Sequence, residues 1–169
     1  MGVSGSGKST IAAQVANDFD YDYIDADDFH SDEAKAKMSA SEPLTDELRN
    51  EWMQRLTLFL SKESQQDKPL VLAHSCLKKV HRNMLRTVGF QCHFFFLDGS
   101  EALISERMKN RNGHFFPMSL LRSQFQALEH PKLSQRVREE LDISLVNIEQ
   151  SSAAIISQIE QKVMALITS

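Results

Sequence analysis

Apolar residues fall into two alternating patterns along the chain. Short runs at Tyr21 to Ile24, Leu70 to Ala73, Cys92 to Leu97 and Ile143 to Val146 are nearly continuous in apolar side chains, as strands covered on both faces must be. Between them lie longer stretches in which apolar residues recur every three or four positions. Leu48, Trp52, Leu56 and Phe59 make one such stripe behind Thr45, a suitable N-cap. Asp46 and Glu47 follow in the first turn, where the helix dipole favours anions. Ile155, Ile156, Ile159, Val163 and Leu166 make another, and Ile11, Ala12, Val15 and Ala16 a third. The first two stripes read as core, the third as an amphipathic helix. The resulting order is helix, strand, helix, strand, helix, strand, helix, irregular segment, helix, strand, helix. That alternation predicts a three-layer α/β fold, a parallel sheet with helices on both faces.

Length adds that one core suffices. A chain of 169 residues buries about 70% of the surface its unfolded form exposes, so residues 1–169 are expected to form one domain, with a lid at about 107–131. Lysine and arginine number 19 against 23 aspartate and glutamate, a net charge of -4. No basic face follows from that balance, which argues against a nucleic-acid partner. The longest apolar runs are far shorter than a membrane span, and the chain does not open like a signal peptide. A cytoplasmic protein without a membrane partner is the expectation. Cys76 and Cys92 are too few and too badly spaced for a disulfide framework or zinc site; both are expected as buried thiols.

Gly2-Val3-Ser4-Gly5-Ser6-Gly7-Lys8-Ser9 matches the Walker A phosphate-loop pattern in full. Its glycines let successive backbone N–H groups turn inward around phosphate oxygens, and the helix behind points its positive end at them. In that reading Gly2, Ser4, Gly5, Ser6, Gly7, Lys8, Ser9 and Thr10 hold ATP. Lys8 reaches the β- and γ-phosphates and the Ser9 hydroxyl holds Mg²⁺. A chance Gly/Ser-rich opening is the bland alternative, and an amphipathic helix directly behind the motif argues against it. Only Met1 precedes Gly2, where a buried central strand is expected. That leaves either a sheet without its central member or, the favoured expectation, a natural protein with several more apolar residues ahead of Met1.

The Tyr21 to Ile24 strand ends in Asp25-Ala26-Asp27-Asp28-Phe29-His30. Carboxyl ends of parallel strands face the ligand crevice, so these acids are expected beside the phosphate loop. Asp25 and Asp27 share a side of an extended chain. One would orient Mg²⁺ through water and the other accept the proton of an attacking hydroxyl. An aspartate cluster at a strand end is as often a solvated turn; the Walker A helix upstream tips the reading towards function, for Asp27 most of all.

A cationic group follows the Leu70 to Ala73 strand, in His74-Ser75-Cys76-Leu77-Lys78-Lys79-Val80-His81-Arg82. Lys78 and Arg82 are four apart and are expected to share a helix face, clamping a carboxylate or hydroxyls of an acidic acceptor. Lys79 and Arg86 are expected in solvent. His74 and His81 have no carboxylate or cysteine at ligand spacing, so no metal is expected there.

From Arg107 to Pro117, two arginines, Gly113, Phe115 and Phe116 interrupt helical patterning, as in a mobile cover over a site. Together with Leu121, Ser123-Gln124-Phe125 and Leu128-Glu129-His130-Pro131, this stretch resembles the lid of the gluconokinase family. That lid reads as an arginine pair, Gly-His-Phe, Ser-Gln-Phe, Leu-Glu and a proline. The resemblance covers nearly the whole chain. It takes in the Walker A loop, Asp25-Ala26-Asp27 with His30, Lys37-Met38, Pro43-Leu44 with Asp46 and Arg49, Trp52, and Ser75 with Leu77-Lys78-Lys79 and Arg82.

The resemblance implies a P-loop kinase, usually a homodimer, that phosphorylates D-gluconate at its 6-hydroxyl with ATP and Mg²⁺. Carried onto this sequence, it implies that Lys8 and Arg111 neutralise the transferring phosphoryl group, and that Arg107 lies against the adenine. Asp27 would act on the acceptor hydroxyl, with Ser9 and Asp25 on the metal. His30, Arg49, Lys78, Arg82 and His114 would surround the sugar acid, with Gln124 in the same substrate site. The sequence departs from the family's usual residues at Ser31 (Pro), Ala34 (Asn), Ser41 (Gly), His74 (Cys), His81 (Tyr) and Asn83 (Asp). These lie towards the acceptor and leave the phosphoryl-transfer parts intact.

Three other readings compete. A shikimate-type kinase shares the first two motifs but usually carries a glycine run where this chain has His74-Ser75-Cys76. A guanine-nucleotide switch needs an Asn-Lys-x-Asp motif, absent from the sequence. A nucleotide-binding protein without turnover is the third.

Overall fold

The computed structural model describes residues 1–40, 42–66, 68–109, 118–131 and 140–168. Its helices and strands run α1 (Lys8–Phe19), β1 (Asp22–Asp25), α2 (Asp32–Ser39), α3 (Asp46–Glu63), β2 (Leu70–Ala73), α4 (Lys79–Leu85), β3 (Phe94–Asp98), α5 (Glu101–Lys109), α6 (Met118–Ala127), β4 (Ile143–Asn147) and α7 (Ser152–Ile167). The four strands fall where the apolar runs predict them, within two residues. Two helices, rather than one, separate β1 from β2. Each has its own cap: Ser31 accepts the N–H of Ala34 and Thr45 that of Leu48, satisfying N–H groups that a helix start leaves unpaired.

β1 pairs in parallel with β2, and β3 with β4. Met1 and Gly2 stand between the two pairs. The Met1 amine donates to the Phe95 carbonyl at 2.5 Å and the Met1 carbonyl accepts the N–H of Leu97 at 2.9 Å, the slanted bonding of a parallel neighbour. On the other side Gly2 donates to the Ser75 carbonyl at 3.0 Å. Met1 and Gly2 therefore occupy the position expected of a central strand, and the phosphate loop begins directly between the sheet halves.

Buried apolar residues form two clusters. Trp52, Met53, Leu56 and Leu60 of α3 pack with Leu85, Phe94, Phe96 and Ile143. Ile11 and Val15 of α1 pack with Leu97, Ile104, Val146, Ile155 and Ile159. The predicted stripes are corrected in detail. On α3, Leu48, Trp52 and Leu56 are buried as expected and Met53 and Leu60 join them, while Phe59 is half-buried against Phe29. Leu166 on α7 is exposed, so that stripe stops a turn early. Cys76 is buried and Cys92 half-buried. Among the described residues, no helix is long and apolar enough to cross a membrane.

Candidate active site

The turn before α1 depends on glycine. Gly7, the N-cap of α1, has φ +96°, and Gly5 has φ +80° with Met108 so close that a Cβ would lie 2.7 Å from its Cγ. Only glycine meets both conditions without strain. Ser4, Gly5, Gly7, Lys8, Ser9 and Thr10 line one wall of a cleft of about 1090 Å³. Gly2 serves the sheet instead. Ser6 is buried, its N–H donating to the Val3 carbonyl at 3.3 Å and its hydroxyl without a partner among the described residues. The Lys8 ammonium donates to the Val3 carbonyl at 2.9 Å. Burial lowers its pKa, against the opposing pull of Asp27 and Asp25.

The end of β1 brings the predicted acids to the loop. The Ser9 hydroxyl donates to Asp25 Oδ2 at 2.9 Å, as does the Tyr23 hydroxyl at 3.0 Å, and Asp25 Oδ1 accepts the N–H of Asp27 at 3.1 Å. Asp25 is thereby the cap of a short 3-10 turn, Ala26–Phe29, that turns Asp27 into the cleft. The surrounding protein, and next the charge of Asp25, raise the pKa of Asp27, with Lys8 opposing. A carboxylate moved this way is a better proton acceptor.

Behind Asp27 lies a column of rings. His30 stacks on Trp52 with centroids 4.3 Å apart, and Trp52 stacks on His74 at 4.6 Å. The Trp52 indole N–H donates to the Ala26 carbonyl at 2.6 Å, locking α3 to the turn that carries Asp27. His30 Nε2 lies 3.8 Å from Asp27 Oδ1, and its buried Nδ1 lacks a partner among the described residues. Burial, with Arg55 and Lys35 nearby, lowers the His30 pKa to about 4. His74 Nδ1 accepts the N–H of Cys76 at 2.7 Å, and His81 meets His74 edge-on.

The cations divide. Arg49 and Lys78 both line the cleft and flank Asp46, at 3.2 and 3.7 Å. Arg82 does not join them. Lys78 is the extended cap residue of α4, not part of its helical face. Arg82 turns inward, 1% exposed, with a two-point bond to Glu140 at 2.8 and 2.9 Å. Its remaining nitrogen donates to the Cys76 carbonyl at 3.1 Å. The expected clamp of Lys78 with Arg82 is therefore corrected: Arg82 braces the loop of residues 75–78 from behind. Arg86, expected in solvent, pairs with Asp142 at 2.7 Å and with Glu140 at 3.1 Å.

Arg107 lines the cleft and bonds the Ile148 carbonyl. Gln124 lines it too, but bonds Ser4 of the phosphate loop. Arg111 and His114 lie outside the described residues, as does Ser41.

Residues 1–131 match the AAA domain family. The chain is 39% identical over 166 residues to the thermosensitive gluconokinase of Escherichia coli K12, a match covering 98% of this chain and 86% of the relative. The chain belongs to the gluconokinase family. Two solved structures share the family's fold with it. A gluconokinase from Sinorhizobium meliloti 1021 superposes with a TM-score of 0.80 at 34% identity, covering 98% of this chain and 94% of that one. An unliganded sugar kinase from Janibacter sp. HTCC2649 gives 0.82 at 36%, covering 94% and 88%.

In and behind this gluconokinase-family cleft, three features carry no signal in the sequence. The ring column was missed because Trp52 fits a helical apolar stripe and reads there as core. Glu140, the partner of Arg82, carries no local signal 58 residues away. Met108 is drawn over the phosphate loop by packing alone.

Proposed function

We propose that the chain transfers the terminal phosphoryl group of ATP to the 6-hydroxyl of D-gluconate. The observation that carries this is the convergence, on one cleft, of the phosphate loop, Lys8 and Asp27 with a separate cationic rim of Arg49 and Lys78. The loop amides and the α1 N-terminus bind phosphate oxygens, and Lys8 exchanges the Val3 carbonyl for phosphate. Ser9 Oγ and Asp25 Oδ2, 2.9 Å apart, are hard oxygen donors that suit Mg²⁺, which supplies charge neutralisation when bound. Asp27 takes the acceptor's hydroxyl proton as the oxygen attacks in line. Neutral His30 behind it leaves the carboxylate's negative charge uncancelled.

Arg49 and Lys78 give the rim the charge that a sugar carboxylate requires. Arg107 by the adenine, and Arg111 and His114 from the lid, complete the reading, which includes a homodimer. With Mg-ATP, the purified protein should release ADP in the presence of D-gluconate and far less with shikimate, glucose or no acceptor. Equal release with and without every acceptor would replace kinase by ATPase. Light scattering checks the dimer.

A further inference from the structure

Helix α6 is tied to both halves of the cleft. Gln124 Oε1 accepts the backbone N–H of Ser4 at 2.7 Å, and Gln124 Nε2 donates to the Ser4 hydroxyl at 3.0 Å. Just beyond the helix, the N–H of Glu129 donates to the Leu77 carbonyl at 2.9 Å, and Glu129 Oε2 accepts the N–H of Lys79 at 2.5 Å. Leu120, Ser123 and Ala127 of the same helix line the cleft. One short segment therefore joins the phosphate loop to the loop of residues 75–78, which the proposed function makes the acceptor loop.

The Ser4 N–H belongs to the glycine-rich loop, and Ser4 faces the cleft. Among the loop residues lining the cleft, Ser4 lies furthest along the chain from the first turn of α1. The Lys8 ammonium rests on the neighbouring Val3 carbonyl. A lysine that spans the β- and γ-phosphates marks the side of the loop where the terminal phosphate sits. Gln124 thus holds, with a neutral carbonyl, a donor that a terminal phosphate oxygen would take. The charged oxygen makes the stronger bond, roughly twice the neutral one.

We propose that Gln124 is a positioning residue that reads the terminal phosphate and reports it to the acceptor loop. A nucleoside triphosphate takes the Ser4 N–H from Gln124, whereas a diphosphate leaves that bond intact. Its release frees α6 to shift, and Glu129 passes the shift to Leu77 and Lys79. Such coupling acts equally in both directions. The inference rests on the proposed triphosphate site and is independent of which acceptor the cleft takes.

Calorimetric titration with ADP and with a β,γ-imido analogue of ATP, on the wild type, Gln124→Ala and Gln124→Glu, tests it. Removing the competing carbonyl in Gln124→Ala should tighten the analogue about fivefold, the worth of one net hydrogen bond, with ADP affinity unchanged. Gln124→Glu places a negative charge beside the terminal phosphate and should weaken the analogue about tenfold, again sparing ADP. Trp52, the single tryptophan, stacks at the acceptor end and gives a second signal. Its emission should respond to the analogue but not to ADP in the wild type, and lose that distinction in Gln124→Ala. Equal effects on both nucleotides, or none on either, would overturn the proposal. So would a wild type that binds neither nucleotide. Failure to phosphorylate D-gluconate would count against the acceptor assignment alone, since no arm of this test depends on turnover.

Discussion

Lys8 illustrates how much one residue's chemistry depends on where the backbone holds it. Its ammonium is buried against a carbonyl, its pKa lowered by burial and pulled back by Asp27 and Asp25. It contributes little packing, so its value lies in charge that develops during transfer. Lys8→Ala should reduce kcat by roughly 10²–10³-fold or more while leaving the thermal melt nearly unchanged, both measured on the same preparation. A variant that keeps its rate would remove Lys8 from the chemistry. Local motifs made such residues legible. The Gly5 and Gly7 conformations, the Ser9–Asp25 contact and the turn after β1 all follow from residues close to the loop or at a strand end. Arg82 was misplaced because a spacing of four implies a shared face only inside a helix, and α4 begins one residue after Lys78.

At the scale of elements, α4 is bolted to the start of β4. Arg82 and Arg86 close on Glu140 and Asp142, and Arg86 lies over the Phe94 ring at 5.1 Å. The same Arg82 bonds the carbonyls of Cys76 and Leu77, holding a loop in which Cys76 has φ +45°. A non-glycine residue in that region persists only when its surroundings enforce it. Arg82→Met strips Glu140 of its two-point partner and leaves Arg86 alone with it. Removing one member of a buried pair costs about 3–5 kcal/mol, and urea denaturation should show a loss at the low end of that range. Adding Glu140→Leu should restore much of the stability. If the single variant were as stable as the wild type, the brace would be decorative. The acceptor KM should also rise in the single variant, because Lys78 sits on the loop that Arg82 holds.

For the molecule as a whole, buried histidines tie stability to pH. Desolvation first holds His30 at about 4 and lowers His74, His81 and His93 from the ordinary histidine value. The unfolded chain, with histidines near 6.5, binds more protons than the folded one between about pH 4 and 6.5. Stability must therefore rise with pH through that window. Glu140 and Asp142, lowered despite burial by Arg82 and Arg86 respectively, push the same way at lower pH. The melting temperature should be lower at pH 5 than at pH 7. His74→Phe, which keeps a ring against Trp52 but cannot be protonated, should show a smaller drop. A melt that is flat or rising towards acid would contradict the burial of these rings.

The sequence by itself determined the alternation of helices and strands, the phosphate loop and the acids at the end of β1. Each of these is written in a periodicity or a contiguous motif, and local backbone chemistry enforces it. Tertiary structure alone decided which cations line the cleft, how Trp52 joins two histidines into a column, and how Gln124 reaches Ser4 across 120 residues. Those outcomes depend on which surfaces pack together and on which charges find a partner before they find the cleft. No spacing along the chain records that competition.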